Sequence, residues 1–360
     1  MDSDFLIIGA GVIGLSSALK LLQHGASVTV LDRGSCGSES SWAGGGILSP
    51  LCPWDYAEEV TRLTSLGAAL FPAWARSLQE STGIDPEYEA SGMLVLPPFD
   101  ARAGRLWCAG HQVTMELLPS DPDQRGVEWK GDALFLPDVA QVRNPRLMHA
   151  LRKQVELLGG RIIEHCAVQD IEADSARVRS LRTRCGEMKA DRYIVASGAW
   201  SQQVLGRHGM QIDIKPIRGQ ILLFKFPAPP LPHIVLQRDL YLIPRRDGCL
   251  LVGSTLEDVG FDKSVTQTAS DDLRTRAGIL LPQLRNMPPV RHWAGLRPAS
   301  PRNIPAIGRH PALDNLYLNC GHFRYGVTMA WASAHILLNE ITGEPQPFDA
   351  APYQTWWNAA

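Results

Sequence analysis

FLIIGAGVIGLSSALKLLQHGASVTVLDR, residues 5–33, reads as strand, tight glycine turn, helix, second strand and closing acid. Phe5 to Ile8 is a short apolar run of buried-strand type. Gly9-Ala10-Gly11-Val12-Ile13-Gly14 matches G-x-G-x-x-G, and Leu15, Ala18, Leu19 and Leu22 then recur at helical spacing. Val28 to Leu31 ends at Asp32, close to the spacing of about 20 residues expected of a dinucleotide fold. Gly9 permits the turn, Gly11 lets backbone touch a pyrophosphate, and Gly14 allows the helix to pack close to the sheet. The helix start offers free N–H groups and a positive dipole end to phosphates. Asp32 suits adenosine ribose hydroxyls and disfavours a 2′-phosphate, so NADP is unfavoured. The unit alone does not separate NAD from FAD.

Three further stretches bear on chemistry. In RYIVASGAWS a strand ends at Ala196 and Ser197-Gly198 turn sharply before Trp200. Ligands of open α/β sheets lie beyond the carboxyl ends of strands. The same residues read equally as an ordinary strand-to-helix turn. In ESSWAGGGILSP, Gly44-Gly45-Gly46 allows close backbone approach to a flat or anionic group, and Ser40 and Ser41 can donate to phosphate. Apolar Trp42, Ile47 and Leu48 argue against a flexible surface loop. HWAGLRPAS and GHFRYGVTMA carry Arg297 and Arg324. A planar guanidinium beside a nucleotide can hold both oxygens of a carboxylate, although most arginines are simply solvated.

The chain has 360 residues, enough for two cores, with 45% hydrophobic and 20% charged residues and a formal net charge of −2. Nothing in that balance favours nucleic acid or an anionic membrane as partner. Seven cysteines without C-x-x-C spacing argue against a disulfide framework or a zinc knuckle, and no metal site is expected. Reduced thiols point to the cytoplasm. Asp2 and Asp4 stand where a signal peptide would be basic, and no membrane span is expected. Helices are expected over 58–80, 100–118, from Asn144-Pro145 to Gly159-Gly160, over Ser270–Leu281 and from about Val327 to Ile341. A Pro-, Asp- and Gly-rich stretch follows residue 118. RIIEHCAVQDIEAD reads as one strand, Cys185-Gly186 as a turn between strands, and Lys215 to Arg297 as mostly extended.

GAGVIG, ESSWAGGGILSPLCPW, VRNPRL, ASGAWS, IPRRDGCLLVGSTLE, HWAGLRP and NCGHFRYG, in this order and spacing, resemble bacterial glycine oxidase of the thiamine pathway. That group belongs to the D-amino acid oxidase and sarcosine oxidase family. The resemblance runs nearly end to end. It implies an α/β (α+β) fold: a Rossmann-like FAD-binding domain (1–82, 142–214 and 298–360) and a substrate domain on a large mixed sheet (83–141 and 215–297). It implies non-covalent FAD, and oxidation of glycine, sarcosine and small D-amino acids by hydride transfer from Cα to flavin N5. Oxygen becomes hydrogen peroxide, and the glycine imine serves thiazole synthesis. A homotetramer is also implied.

Carried over by motif, Gly9, Gly11, Val12, Ile13 and Gly14 belong to the pyrophosphate turn, and Asp32 and Arg33 to the adenosine. Ser40, Ser41, Gly45, Gly46 and Ile47 lie along the phosphates and flavin, Val168 on the adenine side, and Gly198 and Trp200 at the second turn. His322, Phe323, Arg324, Tyr325, Gly326, Val327 and Thr328 wrap the flavin. Tyr241, Arg297 and Arg324 meet the substrate carboxylate, and Leu256 falls on the pocket wall. Two positions depart from the family pattern. Tyr325 replaces Asn and Trp331 replaces Pro, both expected near the flavin or pocket. Cys320 is not at the family's flavin-linking position. The competing readings are a D-amino acid dehydrogenase that reduces quinone and a non-catalytic flavin-binding module.

Overall fold

The computed structural model describes residues 3–119 and 126–354. The strands in chain order are β1 (Ser3–Ile8), β2 (Val28–Leu31), β3 (Met93–Leu96), β4 (Glu116–Leu118), β5 (Ala133–Leu136) and β6 (Arg161–Ile163). Next come β7 (Val168–Ala173), β8 (Val178–Thr183), β9 (Gly186–Met188), β10 (Ala190–Val195), β11 (Lys215–Lys225) and β12 (Ile234–Gln237). The last are β13 (Leu240–Pro244), β14 (Cys249–Gly253), β15 (Arg291–Ala299), β16 (Ala306–Arg309) and β17 (Leu316–Cys320).

Two large sheets and a small one result. The six-stranded sheet runs β16-β17-β10-β1-β2-β6 and is parallel except where β16 meets β17. The eight-stranded sheet runs β15-β11-β14-β13-β12-β3-β5-β4 and is antiparallel except for the β12–β3 pair. The fold is therefore mixed α/β. The third sheet, β7-β8-β9, is a meander.

The opening unit follows its sequence pattern closely. The Val12–Gln23 helix buries Leu15 and Leu19 against the first sheet and against the Gly326–Thr342 helix. Each such aliphatic side chain contributes roughly 1.5–3 kcal/mol of burial. A Cβ on Gly14 would lie 1.9 Å from the Gly9 carbonyl oxygen, so no side chain fits at that helix–turn contact.

Elsewhere the elements differ from expectation. The helix expected over 100–118 is Ala101–His111; Gln112 turns left-handed at φ 56° and the chain then enters β4. The Pro- and Asp-rich stretch at 120–125 lies outside the described residues. RIIEHCAVQDIEAD splits into β6 and β7, which belong to different sheets. Asn144 opens the Asn144–Leu157 helix as its first residue, and its amide donates to the Ser41 carbonyl at 2.8 Å. The helix expected from Ser270 begins at Gln267, because the Thr266 hydroxyl caps it by accepting from the Ala269 N–H. Among the described residues no helix is long and apolar enough to cross a membrane.

Candidate functional site

The carboxyl ends of β1, β2 and β10 open onto one elongated groove, and the eight-stranded sheet closes its far wall. Gly9 takes φ 114°, and a Cβ there would stand 2.4 Å from the Ala196 carbonyl oxygen. The turn therefore lies directly against the Ala196-Ser197 turn, whose hydroxyl donates to the Ile8 carbonyl at 2.8 Å. Gly11 caps the Val12–Gln23 helix without a side chain of its own, and the Val12 N–H donates to the Ser41 hydroxyl at 2.9 Å. Asp32 accepts from the N–H groups of Ala10 and Gly34, each at 2.8 Å. Each carboxylate oxygen keeps lone-pair capacity toward the groove. The Arg33 guanidinium lies 3.6 Å over the Trp200 ring and pairs with Glu39 at 2.9 Å. Val168 and Gly198 line the same stretch.

The glycine triplet forms the middle of the groove. Gly46 takes φ 73°, and a Cβ would meet the Val142 carbonyl oxygen at 2.1 Å. The Gly45 carbonyl accepts at 2.6 Å from Arg245, a buried guanidinium on the chain after β13 that also donates to Gln141 and the Val142 carbonyl. Burial lowers its pKa to about 10. Ser40 and Ile47 complete this wall.

The third stretch is made by strands distant in sequence. Arg297 on β15 donates to the Thr255 carbonyl at 3.2 Å and the Ser254 hydroxyl at 2.5 Å. Its guanidinium passes over Gly219 of β11, where a Cβ would stand 2.0 Å from a guanidinium nitrogen. The Tyr241 ring is held between Gly45 and Gly253, with ideal Cβ positions at 3.3 and 2.9 Å from its edge. Burial pushes the Arg297 pKa down; Tyr241 opposes this and the nearby Arg324 charge adds to it. Among the described residues no carboxylate pairs with Arg297. A buried cation without an anion is costly, and an anionic ligand relieves that cost.

His322 to Val327 close the groove at the start of the Gly326–Thr342 helix, which has no side-chain cap. Its first-turn N–H groups lack helical acceptors. His322 is buried, bonds Ser333 at 2.8 Å and is held neutral, its pKa pushed down to about 3 by burial. Burial raises the Cys320 thiol to about 12.

The family model described as FAD dependent oxidoreductase matches residues 4–339. The chain belongs to this family. Among its relatives, a glycine oxidase of Pseudomonas aeruginosa is 41% identical over 98% of both chains. A "Bifunctional protein ThiO/ThiG" of Synechocystis sp. is 33% identical over 94% of this chain and 51% of its own length. A crystal structure of glycine oxidase from Geobacillus kaustophilus superposes with a TM-score of 0.91 at 27% identity, covering 98% of each chain.

With membership of the FAD dependent oxidoreductase family established, the expected residues can be placed one by one. All those expected along the cofactor line the groove except Gly14 and Thr328. Gly14 packs behind the turn. Thr328 is fully buried, its hydroxyl donating to the Ile47 carbonyl at 3.3 Å. Tyr241, Arg297 and Arg324 line the groove together. Leu256 does not: it follows the Thr255 anchor and points outward, 54% exposed. Tyr325 is in the groove wall, edge-on to Tyr56 with ring centroids 5.0 Å apart. Trp331 is away from the groove, stacked on Trp74 of the Glu58–Thr82 helix at 4.9 Å under the Lys20 ammonium. Gly219, Gly253, Ser254 and Arg245 were not singled out by the sequence, and Asn144 was read only as the opening of a helix. The signal for Gly219 and Gly253 was present as glycine inside strand patterns, a mark of close approach.

Proposed function

We propose that the chain is an FAD-dependent oxidase of glycine and other small primary and secondary amines, sarcosine and small D-amino acids included, that forms hydrogen peroxide. One observation carries this reading: the half-buried Arg297 guanidinium, with no carboxylate partner among the described residues, sits beside Tyr241 in a groove shaped for a dinucleotide. The groove fits FAD. Gly9 and Gly46 leave no room for a Cβ, two helix starts present N–H groups, and Asp32 retains acceptor capacity.

When bound, FAD supplies the two-electron oxidant for the amine carbon. Arg297 grips the substrate carboxylate through its fork, and Tyr241 donates a further hydrogen bond. Arg324 adds positive charge at the same seat. The first helical turn that begins at Gly326 and Val327 would offer N–H groups and a positive dipole end to negative charge on the reduced cofactor. Burial lowers the His322 pKa to about 3, which makes its ring a weak proton acceptor, and the reading gives it no proton-transfer role. The reading includes non-covalent FAD, in keeping with a Cys320 thiol kept protonated by burial. The same reading includes the domain division given above, service to thiamine thiazole synthesis, a homo-oligomer of tetramer type and a cytoplasmic setting, in keeping with seven unpaired cysteines.

The test is a steady-state peroxide assay with glycine, sarcosine, D-alanine and D-proline on purified yellow protein. Peroxide with glycine is the expected result. Rapid dye reduction without oxygen consumption would replace the oxidase by the dehydrogenase. Flavin never bleached by any amine under anaerobic conditions would leave a binding module.

A further inference from the structure

The meander β7-β8-β9 brings two of the seven free cysteines together at the edge of the cofactor groove. Val168 is paired with Thr183, and the Arg184 N–H donates to the Ala167 carbonyl at 2.9 Å. The chain before β7 therefore runs alongside the tip of the β8–β9 hairpin. The Thr183 hydroxyl is the meeting point. It accepts from the Cys166 thiol at 3.3 Å and from the Cys185 N–H at 3.0 Å, while donating to the Gly186 carbonyl at 2.7 Å. Cys166 is buried and borders the groove with Ala167 and Val168, whereas Cys185 alone among the seven is exposed.

We propose that Cys166 and Cys185 are a modification site, joined as an intramolecular disulfide when hydrogen peroxide accumulates. The oxidant rests on the function proposed above; the site itself does not. The Cys185 sulfur, as thiolate, attacks one peroxide oxygen. The O–O bond breaks, hydroxide leaves and is protonated to water, and Cys185 becomes a sulfenic acid. The Cys166 sulfur then attacks the sulfenic sulfur. The S–O bond breaks, a second water leaves with the Cys166 proton, and the S–S bond forms. Two thiols are oxidised and one peroxide is reduced to two waters.

Exposure admits peroxide to Cys185, and the neighbouring Cys166 resolves the sulfenic acid before further oxidation. The thiol–thiol contact with Cys166, and after it desolvation, raise the Cys185 pKa, while the Arg184 charge works against them. The reaction is therefore slow at neutral pH and accelerates with rising pH, because the thiolate is the nucleophile. The product ties the Cys166–Val168 wall of the groove to the hairpin tip.

The test uses the FAD-loaded protein, with peroxide added at neutral and alkaline pH and free thiols counted by a chromogenic disulfide reagent. The expected result is a fall of two thiols, reversed by dithiothreitol, at a rate that rises by roughly tenfold per pH unit below the thiol pKa. Peptide mapping should link Cys166 to Cys185, and Cys185→Ser should abolish the link. Persistence of all seven thiols, a link between other cysteines, or Cys185 driven to sulfinic acid without a link overturns the proposal. A second arm supplies glycine and oxygen with or without catalase. A link with added peroxide but no peroxide from any amine removes the oxidase reading and leaves the site standing. Peroxide from glycine with no link from either source removes the site.

Discussion

The groove has two walls built on different principles. The pyrophosphate wall comes from one continuous β–turn–helix–β unit, and its features are backbone ones: Gly9 at φ 114°, the Gly11 cap and the Asp32 carboxylate holding the turn. The carboxylate wall has no continuous segment. Arg297 lies on β15, Tyr241 on β13, Gly219 on β11 and Ser254 just after β14, and only strand register brings them together. Under the proposed function, the first wall would bind by geometry intrinsic to the chain. The second would bind by a charge whose position depends on several neighbours at once.

The contrast breaks down if either wall fails to respond separately. Arg297→Ala removes charge-assisted bonds of about 1.5–3 kcal/mol each, so kcat/KM for glycine should fall roughly a thousandfold while flavin absorbance per protein stays constant. Loss of flavin in that variant would show the walls to be coupled. Gly219→Ala places a methyl where the guanidinium now passes. Displacing the fork by about 1 Å should cost roughly a hundredfold in kcat/KM, again with FAD retained. Gly9→Ala tests the other wall. Its strained φ and the Ala196 carbonyl should weaken FAD by roughly tenfold in equilibrium titration, with carboxylate inhibitor affinity of the reloaded enzyme unchanged.

Two smaller effects sharpen the picture. Tyr325→Asn opens the wall beside Tyr56 and should shift relative kcat/KM toward D-alanine over glycine by about fivefold; an unchanged ratio would make Tyr325 a packing residue. Glu257 braces the second wall by accepting from Thr255, Arg218 and Gln220. Burial raises its pKa, but these bonds and the Arg218 charge outweigh it and bring it from 4.5 to about 2. A depressed carboxyl stabilises the fold above its unfolded pKa and loses that contribution as pH falls through the folded value. Glu257→Gln should therefore lose about 1 kcal/mol at pH 7 and show a shallower decline in denaturation midpoint between roughly pH 4.5 and 2.

The same contrast explains how much was legible in the sequence. The glycine turn, Asp32, the Ser40–Ile47 stretch and the last helix start were readable because each is a local pattern with a local purpose. Arg297 and Tyr241 came from the family resemblance, since spacing alone left Arg297 indistinguishable from a solvated arginine. Leu256 lies outside the groove lining, a side-chain direction that the sequence could not give, because the neighbouring Ser254-Thr255 contact to Arg297 exists only once β11, β14 and β15 are in register. Trp331 failed likewise: its partner Trp74 is on another helix. The split of RIIEHCAVQDIEAD was hidden because both halves are extended, and only tertiary pairing assigns them to different sheets.

Arg245 acts as a bolt. It is rooted in the eight-stranded sheet and fastened to the Gly45 carbonyl, so sliding that sheet away from the glycine triplet would strand a buried charge. The glycine triplet and the sheet that carries Arg245 are thereby fastened to each other at the groove's midpoint.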